Sequence, residues 1–211
     1  MLQREPAGVP GRRLSPGGTR RKPVRGSRRI FRLALLLLGA ALLWILLGKL
    51  GLVREPFREP PAVTGLHPKV EAQGNELVAL ARKRGIDLVF TGGFRSKEEQ
   101  DALYGQGRVT EGPVVTKAKG GESYHNYGLA VDFALRTKQG DVVWDMERDD
   151  NSNGRPDWEE VVALAKDLGF TWGGDWVQFP DYPHLQMDFG YTIRQLKNGK
   201  YPSGTRTAAN D

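Results

Sequence analysis

The sequence predicts an α+β domain, with a small antiparallel sheet and flanking helices, preceded by one apolar helix able to cross a membrane. Three observations predict it. An uncharged run of sixteen residues, Leu33 to Gly48, lies near the N-terminus. Downstream, stretches of helical period alternate with short β-branched runs, an order that fits helices set against an antiparallel sheet. With 211 residues, 39% of them hydrophobic, the chain can build one globular domain plus appendages.

Taken in order, residues 1–29 are rich in Pro, Gly, Arg and Ser and are expected to be disordered. Ten Lys/Arg and one acidic residue within residues 1–32 give that stretch +9 against a chain total of +6, so the remainder carries −3. The basicity belongs to a tail with almost no aromatic residues, which argues against nucleic-acid binding. The apolar run is about 24 Å long as a helix, short of the ~30 Å hydrocarbon core. A span over 30–53 reaches about 31 Å, with Lys49 snorkelling to the interface. The excess of basic residues before the span puts the N-terminus in the cytoplasm and the domain outside. A cleaved signal peptide is the rival reading, weakened by the lack of a small-x-small cleavage site. Residues 54–64, with Arg54-Glu-Pro-Phe-Arg-Glu-Pro-Pro61, read as a stiff linker.

The domain is expected over 65–200. Pro68 to Arg84 has a helical stripe of Val70, Leu77, Val78 and Ala81, and Asp87–Phe90 is a strand. Ser96 with Glu99 makes a capping box for a second helix through Tyr104. Arg108–Glu122 reads as a loop. Strands follow near 129–134 and 141–145, then a helix from Pro156 to Leu168 and a strand through His184–Met187. Residues 201–211 are expected to be a loose tail. The absence of cysteine excludes disulfides, a thiol nucleophile and Cys-ligated metal sites.

The chemistry is concentrated in Ser123-Tyr-His-Asn-Tyr-Gly-Leu-Ala-Val-Asp132 and Asp181-Tyr-Pro-His184. Two imidazoles and two carboxylates make the donor set of a hydrolytic zinc site. His125, Asp132 and His184 would hold the ion with one position open for water, and Asp181 would take a proton from that water. Seven extended residues span about 23 Å, so the chain from His125 must turn back to bring Asp132 to the same ion. Asn126-Tyr127-Gly128 supplies the bend, and Leu129–Phe133 a short buried strand carrying Asp132 inward. Individually each residue has a plainer reading: a core histidine, a strand-end aspartate, or, for Asp181, the cap of a turn. Ser123 either hydrogen-bonds a ligand or substrate or shapes the loop. Trp172 and Trp176 read first as core, and His67, before Pro68, as a helix-entry residue.

The pattern Ser-x-His-x-x-Gly-x-Ala-x-Asp with a later carboxylate-x-x-His resembles the zinc D-alanyl-D-alanine metallopeptidases. The upstream Gly92-Gly-Phe-Arg-Ser block and Trp172-Gly-Gly-Asp-Trp176 are similar to the L-alanyl-D-glutamate endopeptidase branch of phage endolysins and bacterial wall hydrolases. The resemblance implies that His125, Asp132 and His184 ligate zinc, that Asp181 is the general base, and that Arg95 steadies charge on the scissile carbonyl. It implies a peptidoglycan substrate, and the apolar span with its basic flank adds a place in the bacterial cytoplasmic membrane with the domain facing outward. D-alanyl-D-alanine carboxypeptidase is the alternative activity, and a non-catalytic zinc-stabilised wall-binding module the alternative class.

Asp149–Glu160 fits the twelve-residue calcium loop of EF-hands. Asp149, Asn151 and Asn153 stand at positions 1, 3 and 5, Gly154 at 6, Arg155 at 7 through its carbonyl, Asp157 at 9 and Glu160 at 12. Pro156 at position 8 and a strand instead of a helix before the loop depart from the pattern. An Asx-rich turn leading into a helix is the plainer reading.

Overall fold

The computed structural model describes residues 26–49 and 59–210. The expected tail over residues 1–25, the end of the span at 50–53 and the linker at 54–58 lie outside the described residues. The described chain falls into two units, divided after Arg58.

Among the described residues, the first unit contains one helix, α1 (Gly26–Lys49). It starts earlier than the sequence suggests, so residues 26–29 are helical instead of part of the tail. Its window Ile30–Leu47 has mean hydropathy 2.5 and is 0% buried. By length and composition this helix can cross a membrane.

The second unit contains α2 (Pro68–Lys83), β1 (Leu88–Gly92), α3 (Lys97–Gly105), β2 (Ala130–Arg136), β3 (Val142–Val143), α4 (Asp157–Asp167), β4 (Thr171–Trp172), β5 (His184–Gln186) and α5 (Ile193–Lys197). The sheet is antiparallel with order β1-β2-β5-β4, and β3 pairs with the far end of β2. The fold is α+β with a small antiparallel sheet, as the sequence predicts. Both Ser96 and Thr192 close capping boxes at the starts of α3 and α5.

One face of the sheet is covered by helices. Val131, Phe133 and Leu135 of β2 and Leu185 of β5 join Val70, Leu77 and Ala81 of α2 and Trp158, Val161 and Ala165 of α4 in a continuous core. Phe133 packs on Trp158 with ring centroids 4.4 Å apart. Because side chains alternate along a strand, burying these odd-numbered residues turns Asp132, His184 and Gln186 to the opposite face. The expectation that β2 carries Asp132 inward therefore needs correction. Asp132 faces an open cleft, its side chain 22% exposed, flanked in sequence by core residues.

Two further expectations change. The strand at 141–145 shrinks to Val142–Val143, which has only Leu135 and Arg136 to pair with. The segment expected to be loose after Lys200 is tied down. Thr205 and Thr207 are buried, Val63 bridges to Thr207, and His67 Nε2 lies 2.9 Å from the Ser203 carbonyl. The packed domain thus begins at or before Val63, inside the expected linker.

Candidate active site

Three elements deliver the donor atoms. Asp132 of β2 and His184 of β5 are direct cross-strand partners, so sheet register alone brings them together. On its other side Asp132 pairs with Gly92 of β1. A Cβ at position 92 would stand 2.6 Å from Asp132 Oδ2, so only glycine leaves room for the carboxylate. His125 comes from a single 3-10 turn, Tyr124–Tyr127, begun by a capping box at Ser123 and ended by Gly128 at φ 66°. This is the reversal that the spacing demands. A side chain at position 128 would be strained at that φ and would collide with the Gly65 carbonyl.

His125 Nε2 lies 3.2 Å from both His184 Nδ1 and Asp132 Oδ1, and His184 Nδ1 lies 3.4 Å from Asp132 Oδ1. A tetrahedral zinc ion about 2.0–2.1 Å from each ligand requires ligand–ligand edges of about 3.3 Å. The triangle therefore fits the ion. Among the described residues, these three form the one group of His, Cys, Asp and Glu side chains close enough to share a metal.

The remaining ring nitrogens fix the tautomers. His125 Nδ1 is 2.7 Å from the Gly93 carbonyl, and His184 Nε2 is 3.0 Å from Gln186 Oε1. A carbonyl oxygen only accepts, so each of these nitrogens carries the proton and the facing one keeps its lone pair for a metal. Burial works to raise the pKa of Asp132, but without a metal the two imidazoles hold the carboxyl well below its usual range when they carry a proton toward Oδ1, a proton that an ion in the triad would displace. A carboxylate held low in this way suits a metal ligand, which must be ionised.

The triad opens on a cleft of about 850 Å³ also lined by Arg95, Asp181, Trp176 and Tyr124. Arg95 Nη2 approaches Asp132 Oδ2 at 3.6 Å, while its Nη1 donates to Gln100 Oε1 at 2.9 Å. Asp181 leads the turn into β5, its carbonyl accepting from the His184 N–H. Burial is the main cause that raises the Asp181 pKa, and Asp132 adds to it, against the pull of His184, His125 and Arg95. A raised carboxyl suits a proton-transfer group. Trp176, read first as core, instead lies against His184 with centroids 5.1 Å apart, whereas Trp172 packs on the helix-side core. Ser123 Oγ accepts from the His125 N–H and shapes the turn. His67 caps α2, its Nδ1 accepting from the Lys69 N–H.

Three buried amides escaped the sequence reading. Asn126 accepts from the Gly121 and Ser123 N–H groups and donates to the Arg95 and Ser96 carbonyls. Gln100 and Gln186 are 1% and 6% exposed.

The Asp149–Glu160 loop is wound as its pattern suggests. Asp149 accepts from the Asn153 and Gly154 N–H groups, and Gly154 has φ 82°. Its centre is closed internally: the amides of Asn151 and Asn153 donate to Glu160 Oε2 at 2.9 and 2.7 Å. Arg155 donates its N–H to Asn153, and buried Asp157 accepts from the Asp150 N–H.

With this geometry established, relatives are informative. A family profile described as D-alanyl-D-alanine carboxypeptidase matches residues 116–187. The peptidoglycan L-alanyl-D-glutamate endopeptidase CwlK of Bacillus subtilis is 58% identical over 130 residues, 62% of this chain and 78% of that protein. The chain belongs to the zinc D-alanyl-D-alanine metallopeptidase family. As a member it is a peptidase. The L-alanyl-D-glutamate peptidase of Listeria phage A118 is 33% identical over 150 residues, 71% of this chain, and the chain spans 48% of that protein. A solved L-Ala D-Glu endopeptidase, ChiX of Serratia marcescens, is 23% identical with TM-score 0.40, covering 63% of this chain and 85% of its own.

Proposed function

We propose that this chain is a membrane-anchored zinc peptidase that hydrolyses the L-Ala–D-Glu bond of peptidoglycan stem peptides. The 58% identity to CwlK carries the choice of bond. The triad would hold zinc, which when bound supplies a Lewis acid and a water of lowered pKa. The chain's own residues do the rest. Asp181 accepts the proton of the attacking water as its oxygen adds to the amide carbonyl. Arg95 donates to the oxygen on which negative charge develops. The C–N bond then breaks, and Asp181 returns the proton to the leaving amine. A non-catalytic wall-binding module has no use for a base, and Asp181 and Arg95 both line the triad's cleft.

The test uses the full chain in detergent with purified peptidoglycan. His184→Ala should lose zinc and abolish release of new amino termini. Asp181→Asn should keep its zinc and lose about 10²–10⁴-fold in rate. Undiminished hydrolysis by the His184→Ala protein would sink the mechanism.

The same reading places α1 in the cytoplasmic membrane, with the N-terminus inside and the peptidase unit outside. The run of basic residues ahead of the apolar window supports that orientation. For the Asp149–Glu160 loop it includes calcium, which would replace the two amide N–H groups now facing Glu160. Calorimetry should register binding at millimolar calcium, lost in Glu160→Ala. No heat from the wild type would leave the loop as a turn.

A further inference from the structure

Two loops contribute a cation and an aromatic ring to the lining of the cleft. Thr116, Lys117 and Ala118 belong to one, and Phe179 to the other. Lys117 Nζ stands 4.2 Å from the centre of the Phe179 ring. Residues 108–115 are exposed, yet the backbone around Lys117 is pinned. Gln100, fully buried on α3, donates to Thr116 Oγ1 at 3.3 Å and to the Ala118 carbonyl at 2.9 Å. The same side chain accepts from Arg95 Nη1. One buried amide therefore fixes the Lys117 segment and Arg95 relative to each other.

The cleft's charges are unequally committed. Glu122 is paired with Lys197, and Arg95 with Asp132 and Gln100. Of the cleft-lining cations among the described residues, Lys117 has no carboxylate partner. Glu122, Asp132 and Asp181 line the same cleft, but Glu122 is already paired and Asp132 would share its charge with the metal. An ionised substrate group entering the cleft is best received by a cation not already paired with a carboxylate.

Hydrolysis of an L-Ala–D-Glu amide leaves glutamate on the amine side of the cut. Glutamate has two carboxyl groups and uses one to continue the chain. The other remains ionised within a few bonds of the scissile nitrogen. Resting on the proposed activity above, we infer that Lys117, held against Phe179 and positioned through Gln100, is the docking group for that carboxylate. It acts in binding and specificity, while Arg95 and Asp181 act on the reacting atoms. A lysine charge near an aromatic face on a pinned segment keeps its ammonium available to an incoming anion.

The experiment compares two synthetic peptides that differ at one group, the free glutamate carboxylate or its carboxamide. The full chain, Lys117→Met and Lys117→Arg are assayed on both, with zinc content measured alongside. The wild type should favour the carboxylate peptide by about tenfold or more in kcat/KM, the scale of one charged hydrogen bond. In Lys117→Met that ratio should collapse toward one, mainly through KM, with zinc content unchanged. Lys117→Arg should restore most of the preference. A ratio unchanged in Lys117→Met, or a wild type without preference, would overturn the assignment. Cleavage of neither peptide by the wild type would instead remove the L-Ala–D-Glu reading, and this inference with it.

Discussion

At the scale of residues, the site depends on groups that never touch the metal position. Gln186 lies two residues after His184 on β5, on the same face of the sheet, and its Oε1 meets His184 Nε2 at 3.0 Å. If this contact sets the tautomer, Gln186→Met should weaken zinc about 10–100-fold in a chelator competition. Gln186→Glu, which keeps an acceptor, should retain most of the affinity. Equal affinity in all three proteins would show that the tautomer is fixed without it. His125, Asp132, Asp181 and His184 were legible in the sequence because their types and spacing belong together. Gln186, Gln100 and Asn126 were not, since a buried amide is recognised by its partners. Gln100 bonds across 16 and 18 residues, and Asn126 reaches back 30 and 31 residues.

At the scale of elements, the long periodic helices were read almost to the residue. The stripes of α2 and α4 face a single core, and Ser96 closes its capping box as expected. The elements that were missed are short. Two-residue β4 and five-residue α5 carry too little pattern to be seen, and β4 exists because β5 offers it an edge. The C-terminal segment failed for a different reason. Its Thr, Arg and Asn residues look solvated, yet the segment is bonded both within itself and to the start of the domain. Arg206 pairs with Glu71, the Tyr201 hydroxyl donates to the Pro61 carbonyl, and Thr207 bridges to Val63. Deleting residues 201–211 should therefore lower Tm by several degrees, at about 2–4 °C per kcal/mol for a domain of this size. An unchanged Tm would restore the loose tail predicted from composition.

At the scale of the whole molecule, charge and hydropathy divide the chain into a basic N-terminal stretch, an apolar helix and a packed polar-surfaced unit. By length and composition α1 can cross a membrane, as an anchor or as a signal sequence. With α1 as an anchor, the full-length protein should pellet with membranes and dissolve only on adding detergent. A soluble mature form beginning near residue 50 would make that helix a cleaved signal. The packed unit supplies the chemistry: a sheet buried on its helix side turns Asp132 and His184 to the other, and one tight turn adds His125. The most direct test of the central claim is mass spectrometry of purified peptidoglycan digested by the full-length chain. The proposed activity predicts stem fragments with a new amino-terminal D-glutamate and alanine left on the glycan side. Loss of a single terminal alanine, with the L-Ala–D-Glu bond intact, would contradict it and make the enzyme a carboxypeptidase.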